Sequence, residues 1–270
     1  MNLGVRVGSA LVLAAALGAA LVIGGVVLYV VIGVAVMVGL WELAGLLGRM
    51  QLPPPPWVLF PLGGWLLYRF LLPSDVPALE LGLGAAVAVG LLSVLPLSEN
   101  AVVLWACAVG GALYLGLSFG YYIALLHWHG ADQQRFGLRI VVVVLLGAMA
   151  GDITALFVGR AFGRHPFFAR ISPHKTVEGA VGGLVASVVV VTVGETWLLG
   201  LPVWQAMLLG VAVAIAAQGG DLVESAIKRA AGQKDSSHLI PGHGGLLDRL
   251  DSLVLLGPVV YCYLRVVALP

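Results

Sequence analysis

Residues 219–252 read GGDLVESAIKRAAGQKDSSHLIPGHGGLLDRLDS, a concentration of charge in a chain of which only 10% is Asp, Glu, Lys or Arg. Asp221, Ser225 and Lys228 stand at i, i+4 and i+7. A helix would carry them on one face, with Glu224 beside them. Lys234, Asp235, His238 and His243 follow in a stretch whose PGHGG has too little helix propensity and too much backbone freedom for regular structure. Asp248 and Asp251, at i and i+3, then open the last apolar run, where the helix dipole favours carboxylates. Two kinds of chemistry fit these residue types. Asp221, Asp248 and Asp251 suit a hard divalent cation, since Mg²⁺ prefers a few carboxylates together with water and substrate phosphates. Gly244 and Gly245, beside Lys and Arg, suit the cradling of a phosphate. The plain alternatives are a solvated helix end with an internal ion pair and a charged helix cap. Zinc is disfavoured, because His238-x₄-His243 lacks cysteine partners.

A second group lies upstream, in GAMAGDITALFVGR (147–160) and ISPHKTVEG (171–179). Asp152 falls in the middle of an apolar run, where an acid is expensive and marks a functional site by default, with Arg160 or a metal as partner. Ser172, Lys175 and Thr176 precede the next apolar run. They read as an anion-binding loop, with a helix cap plus an orienting positive charge as the rival. His127, Trp128 and His129 read as interfacial anchors.

The elements that must position these residues are set by composition. Of the 270 residues 60% are hydrophobic, and mean hydropathy is +1.05. Soluble domains carry roughly 25% charged residues, so this chain belongs in a bilayer. No charge occurs from Val7 to Trp41. As one helix that run would measure about 52 Å, too long for a core of ~30 Å, so two helices are expected with a break near Gly24-Gly25. The run is read as a retained helix, not a cleaved signal. Prolines at 53–56 end the second helix. Further spans are expected at about 57–73, 78–97, 101–126, 138–160, 177–199, 203–228 and 250–268, nine in all, forming one all-α integral membrane domain over 1–270. Residues 1–135 supply N-terminal and middle spans, and 136–270 carry the charged segments. The stretches 160–175 and 228–249 hold eight of the fourteen basic residues, which puts both on the cytoplasmic side; the connection near Glu195 has none. Cys107 and Cys262, far apart and without a CxxC pattern, read as small buried hydrophobes.

Ser225-Ala226-Ile227-Lys228-Arg229, Lys234-Asp235, Pro241-Gly242-His243-Gly244-Gly245 and Asp248-Arg249-Leu250-Asp251 together resemble the signature of the phosphatidate cytidylyltransferase (CDP-diacylglycerol synthase) family over 27 residues at fixed spacing. Asp152–Arg160 and Ser172–Gly179 resemble the family's upstream segments. Leu156 stands where an aromatic residue is expected and His174 where a lysine is. The resemblance implies about nine spans, a homodimer, a polar cavity open to the cytosol, and a place in the cell inner (plasma) membrane. It implies transfer of CMP from CTP to phosphatidate. Asp221 and Asp248 would hold Mg²⁺, with Asp251 and Asp152 as further candidates and room for a second, monovalent cation. Lys228, Arg229, Lys234 and Arg249 would neutralise phosphate, and Ser172, Lys175, Thr176, Ser225, His243, Gly244 and Gly245 would contact substrate. The partners are CTP and membrane lipid, with no nucleic acid. Two alternatives are a cytidylyltransferase for another lipid phosphate and an ion-coupled transporter using Asp152 and Asp221. A purely structural subunit would leave the charged loop unexplained.

Overall fold

The computed structural model describes residues 3–72, 77–97, 99–128, 135–242 and 244–268. Among them the regular structure is helical, and the β pairing consists of two isolated bridges, Pro166 with Thr176 and Ile240 with Gly244. The elements are α1 (Leu3–Ile23), α2 (Gly25–Arg49), α3 (Pro56–Tyr68), α4 (Pro77–Val94), α5 (Ala101–Leu126), α6 (Phe136–Phe162), α7 (Val177–Leu199), α8 (Val203–Ala230) and an interrupted α9 (Leu247–Val267). The break between α1 and α2 falls at Gly24 and Gly25, with φ of 69° and 53°, a left-handed conformation that side chains with a Cβ seldom adopt. The proline run then separates α2 from α3, whose first residue is Pro56, the helical position where a missing N–H costs nothing. α9 starts as a single turn, passes through a 3₁₀ segment at Asp251–Leu253, and restarts at Leu256 with Pro258 in its first turn.

Among the described residues six helices are long and apolar enough to cross a bilayer: α2, α5, α6, α7, α8 and α9. α3 has 13 residues, about 20 Å of helix, shorter than any of those six. The apolar stretches found in α1 and α4 are the shorter Ala14–Ile23 and Leu83–Val94.

The chain divides into two compact units, and the division cuts α5, α8 and α9. The first comprises Met1–Ile123 with Ile227–Leu250, the second Ala124–Ala226 with Asp251–Pro270. In the first, α3 and α5 meet backbone to backbone: a Cβ on Gly116 would strike the Gly63 backbone, and one on Gly120 would strike the Leu66 carbonyl. At this approach α5 widens into a π-helical turn, Ala112–Leu117. In the second, Gly147, Gly151, Ala155 and Gly159 of α6 form a small-residue stripe that packs antiparallel on Val191, Ser187, Gly183 and Gly179 of α7. Small residues at every fourth position let two helices approach where no hydrophobic force between them exists in lipid. Ser187 adds a 2.7 Å bond to the Gly147 carbonyl. The opposite face of α7 presents Val181, Val185, Val189 and Val193, all exposed, an apolar ladder that lipid, not water, would cover.

The cysteines differ from expectation. Both are free, but Cys262 is exposed and Cys107 half-buried, so Cys262 does not fill a core. Trp128 packs within the second unit: its ring meets Tyr261 edge-on with centroids 5.4 Å apart, and the Arg265 guanidinium lies over it at 5.8 Å. His129 lies outside the described residues.

Candidate active site

In the first unit the charged segment folds around Asp248. Lys228, in the last turn of α8, donates to Asp248 Oδ1 at 2.7 Å, and both side chains are nearly sealed from solvent. Asp248 Oδ2 accepts from the Ser236 backbone at 3.0 Å, the Ser236 hydroxyl at 3.0 Å and the Gly245 backbone at 2.7 Å. The carboxylate thus closes the loop 236–245 onto its own helix start and holds the Lys228 cation. Gly244 makes this possible: its φ is +83°, and a Cβ there would press on the Asp248 carboxylate. The Gly245 N–H, expected to face a phosphate, is spent on Asp248.

A residue the sequence reading did not use completes this cluster. Glu42 of α2 is 2% exposed. Its Oε1 accepts from the Ser237 hydroxyl at 2.6 Å and the Leu246 N–H at 3.0 Å. Its Oε2 accepts from the Leu247 N–H at 2.6 Å and the Ser236 hydroxyl at 3.2 Å. Glu42 therefore caps the first turn of α9 from another helix, satisfying N–H groups that a helix start leaves open. The one available signal was an acid one residue beyond a long uncharged run.

In the second unit a smaller cluster forms around Asp221. Lys175, just before α7, pairs with Asp221 at 2.5 Å, both about one-quarter exposed. Ser225 donates to Asp221 Oδ1 at 3.2 Å, as the i, i+4 spacing predicts. Asp152 takes a hydrogen bond from Ser252 and lies within electrostatic reach of Asp221 and Lys175. The pairing of α6 and α7 brings Lys175 to this point, and Gly220 lets the Asp251 carbonyl approach α8. Thr176 serves as the N-cap of α7, accepting from Gly179 N–H at 3.2 Å. The loop before it is pinned by Glu178, whose Oε2 accepts from the backbones of Arg164 and His165 and whose Oε1 meets His165 Nδ1 at 2.6 Å.

The remaining expected residues are placed as follows. Arg229 is exposed and bonds the Gln233 carbonyl at 3.3 Å. Lys234 and Arg249 are exposed. Ser172 shapes its loop through its backbone, accepting from Lys175 N–H at 3.2 Å. Asp251 Oδ1 accepts from Ser252 N–H at 2.7 Å. His243 lies outside the described residues. Among the described residues no group of three or more His, Cys, Asp or Glu stands together as a metal site. Asp152 and Asp221 still fit Mg²⁺, because that ion is commonly held by one or two carboxylates plus substrate phosphates, and the Lys175 ammonium already lies against Asp221 within electrostatic reach of Asp152. Asp248 fits less well, since three donors already occupy its Oδ2.

Each unit thus holds a lysine–aspartate pair at the end of an apolar helix, and in the first a glycine loop is tied down on it. The chain matches the model of the cytidylyltransferase family over residues 4–267 and belongs to that family. A Bacillus subtilis protein named phosphatidate cytidylyltransferase is 34% identical over 209 residues, 74% of this chain and 76% of that one. Proteins of the same name from Staphylococcus haemolyticus and a Synechocystis species are 37% identical over 148 residues and 43% over 145. Those matches span about half of each protein: 54% of this chain and 54% of the first, 53% of this chain and 48% of the second.

Proposed function

We propose that this protein transfers the CMP moiety of CTP to phosphatidate, giving CDP-diacylglycerol and pyrophosphate. Family membership and the relatives' names support the reading. The observation that carries it is the Asp248 cluster, which ties the 236–245 loop and the start of α9 to the sealed Lys228 cation. A lipid phosphate oxygen attacks the α-phosphorus of CTP. The bond from that phosphorus to the β-phosphate oxygen breaks, and pyrophosphate leaves with the electron pair. The lipid phosphate is already ionised near neutral pH, so no strong base is required. The protein's contribution is positioning and charge neutralisation.

The two lysine–aspartate pairs fit this task. A site for two polyanions must keep cations ready in apolar surroundings, where an unpaired charge is costly. Asp221 and Asp248 hold Lys175 and Lys228 until phosphate takes their place. Asp152 and Asp221 would hold Mg²⁺, which when bound adds charge neutralisation on the triphosphate. Arg229, Lys234 and Arg249 meet phosphate from the exposed side. The reading includes nine crossings, a polar cavity open to the cytosol, a homodimer, residence in the cell inner membrane and room for a second, monovalent cation near the phosphates. The transporter alternative is not favoured: it gives no role to the tied-down loop.

The test is CTP- and Mg²⁺-dependent conversion of phosphatidate by purified protein, with other lipid phosphates alongside. In sealed vesicles of known sidedness, only CTP on the face carrying 160–175 and 228–249 should react. Conversion of a different lipid phosphate with phosphatidate inert, or reaction from the opposite face, would overturn the substrate or the orientation.

A finer expectation concerns Lys228. A guanidinium is larger and planar where an ammonium is compact, and the sealed contact with Asp248 leaves little room. Lys228→Arg should cost at least about tenfold in rate, roughly 1.4 kcal/mol, measured as initial rate at saturating CTP. Arg164→Lys, at an exposed loop position, should be nearly silent. Equal activity of the two variants would reduce Lys228 to a topology signal.

A further inference from the structure

The far end of α7 carries a group that the phosphate chemistry does not use. Glu195 is fully buried, and neither carboxylate oxygen has a hydrogen-bond partner among the described residues. The hydroxyls of Thr192 and Thr196 are likewise buried and without partners. These residues stand at i, i+3 and i+4, so they share one face of the helix. Threonines in membrane helices ordinarily return their hydroxyl to a carbonyl one turn back, and neither does so here. Three adjacent side chains therefore keep four oxygen atoms away from both water and the backbone.

An ionised carboxylate sealed in an apolar helix bundle needs a counter-charge. A protonated one would not resolve the arrangement, because neither threonine oxygen is placed to accept its O–H, which would be a further buried donor without a partner. A bound cation balances the carboxylate and takes lone pairs from all four oxygens while adding no donor of its own. The donor set restricts the cation. Four hard oxygens without nitrogen or sulfur do not suit a transition metal. Mg²⁺ surrenders its water reluctantly and is poorly served by a sealed site. One carboxylate balances one positive charge. We propose that Thr192, Glu195 and Thr196 form a site for a dehydrated monovalent alkali cation. It is separate from the phosphate chemistry: Glu195 lies 17 residues beyond Glu178 in the same helix, about 25 Å along its axis. It lies five residues before the helix end at Gly200, roughly 7 Å, which gives the ion a short route in.

The test uses the full chain purified in detergent, with melting followed by the fluorescence of its seven tryptophans. NaCl and KCl are each titrated against choline chloride at constant ionic strength. The wild-type melting temperature should rise saturably with one alkali ion, by roughly 5–10 °C at a hundredfold excess over the dissociation constant. In buffer without CTP or Mg²⁺, so that a cation held by substrate phosphates does not contribute, Glu195→Gln should show no ion-dependent rise. Thr192→Val, which removes one oxygen and keeps the shape, should fold normally and need at least about tenfold more ion for the same shift. CTP-dependent activity of Glu195→Gln at fixed salt should be retained. A wild-type melting temperature indifferent to both ions would overturn the proposal. So would an unchanged ion response in Glu195→Gln and Thr192→Val, which would move the ion to another site.

Discussion

Asp248→Asn should remove turnover and lower the melting temperature together. The change keeps volume but replaces an oxygen that accepts three hydrogen bonds, or the one that holds Lys228, with an NH₂ donor. If the amide nitrogen takes the Oδ2 position it faces two backbone N–H groups; if it takes the Oδ1 position it faces an ammonium. In either case Lys228 loses its counter-charge at a nearly sealed position. Breaking one partner of a buried pair costs about 3–5 kcal/mol, or roughly 10 °C for a chain of this size. Asp221→Asn offers the contrast. Its carboxylate is 28% exposed and pairs with a similarly exposed Lys175, so water can take up the strain. That variant should melt near the wild type and lose activity most severely at limiting Mg²⁺. The measurement is melting in metal-free buffer beside activity across a Mg²⁺ series. If Asp248→Asn melts like the wild type and is rescued by excess Mg²⁺, Asp248 acts as a metal ligand and its role in tying the loop is refuted.

The contrast between those two aspartates also shows where sequence reading stops. Long apolar runs place α5 and α7 at their observed limits, with Asn100 and His127 flanking the first and Thr176 and Gly200 the second, because bilayer burial leaves few ways to end a helix. The i, i+4 pairing of Asp221 with Ser225 is legible for the same local reason. The next step of the same helix face fails. Lys228 turns to Asp248, 20 residues on, and Lys175, not Lys228, reaches Asp221. Spacing reports which residues share a face but not which distant element closes on them. The glycine N–H groups illustrate a second limit: a phosphate cradle and a self-closed loop have the same composition, and the Asp248 contact decides between them. Glu195 marks a third. It looks like a connection charge from its place near a span end, yet packing of the second unit buries it completely.

Glu42→Gln should produce the second large effect. Glu42 meets its partners across 194 to 205 residues of sequence, so nothing local announces it, and the conservative appearance of the substitution is misleading. A carboxylate presents two acceptors, and here each oxygen takes one backbone N–H, from Leu246 on one side and Leu247 on the other. Glutamine offers one acceptor and one donor. Whichever way the amide is turned, one of those N–H groups meets an NH₂ and is left buried and unpaired, a loss of about 1–3 kcal/mol, with the charge-assisted strength of the other bonds lost besides. Glu42→Asp should fare little better, because one methylene less shortens its reach to both sides of the turn. The loop 236–245 and the first turn of α9 should loosen together. Since Asp248 sits in that turn and its partners Ser236 and Gly245 in that loop, rate at saturating CTP should fall by at least about a hundredfold, roughly 2.7 kcal/mol. Amide exchange at Leu246 and Leu247 should accelerate while the interior of α2 stays protected. A variant with lost activity but unchanged exchange at those two amides would show that Glu42 acts on substrate directly. Normal activity with accelerated exchange would show that the site does not depend on this cap.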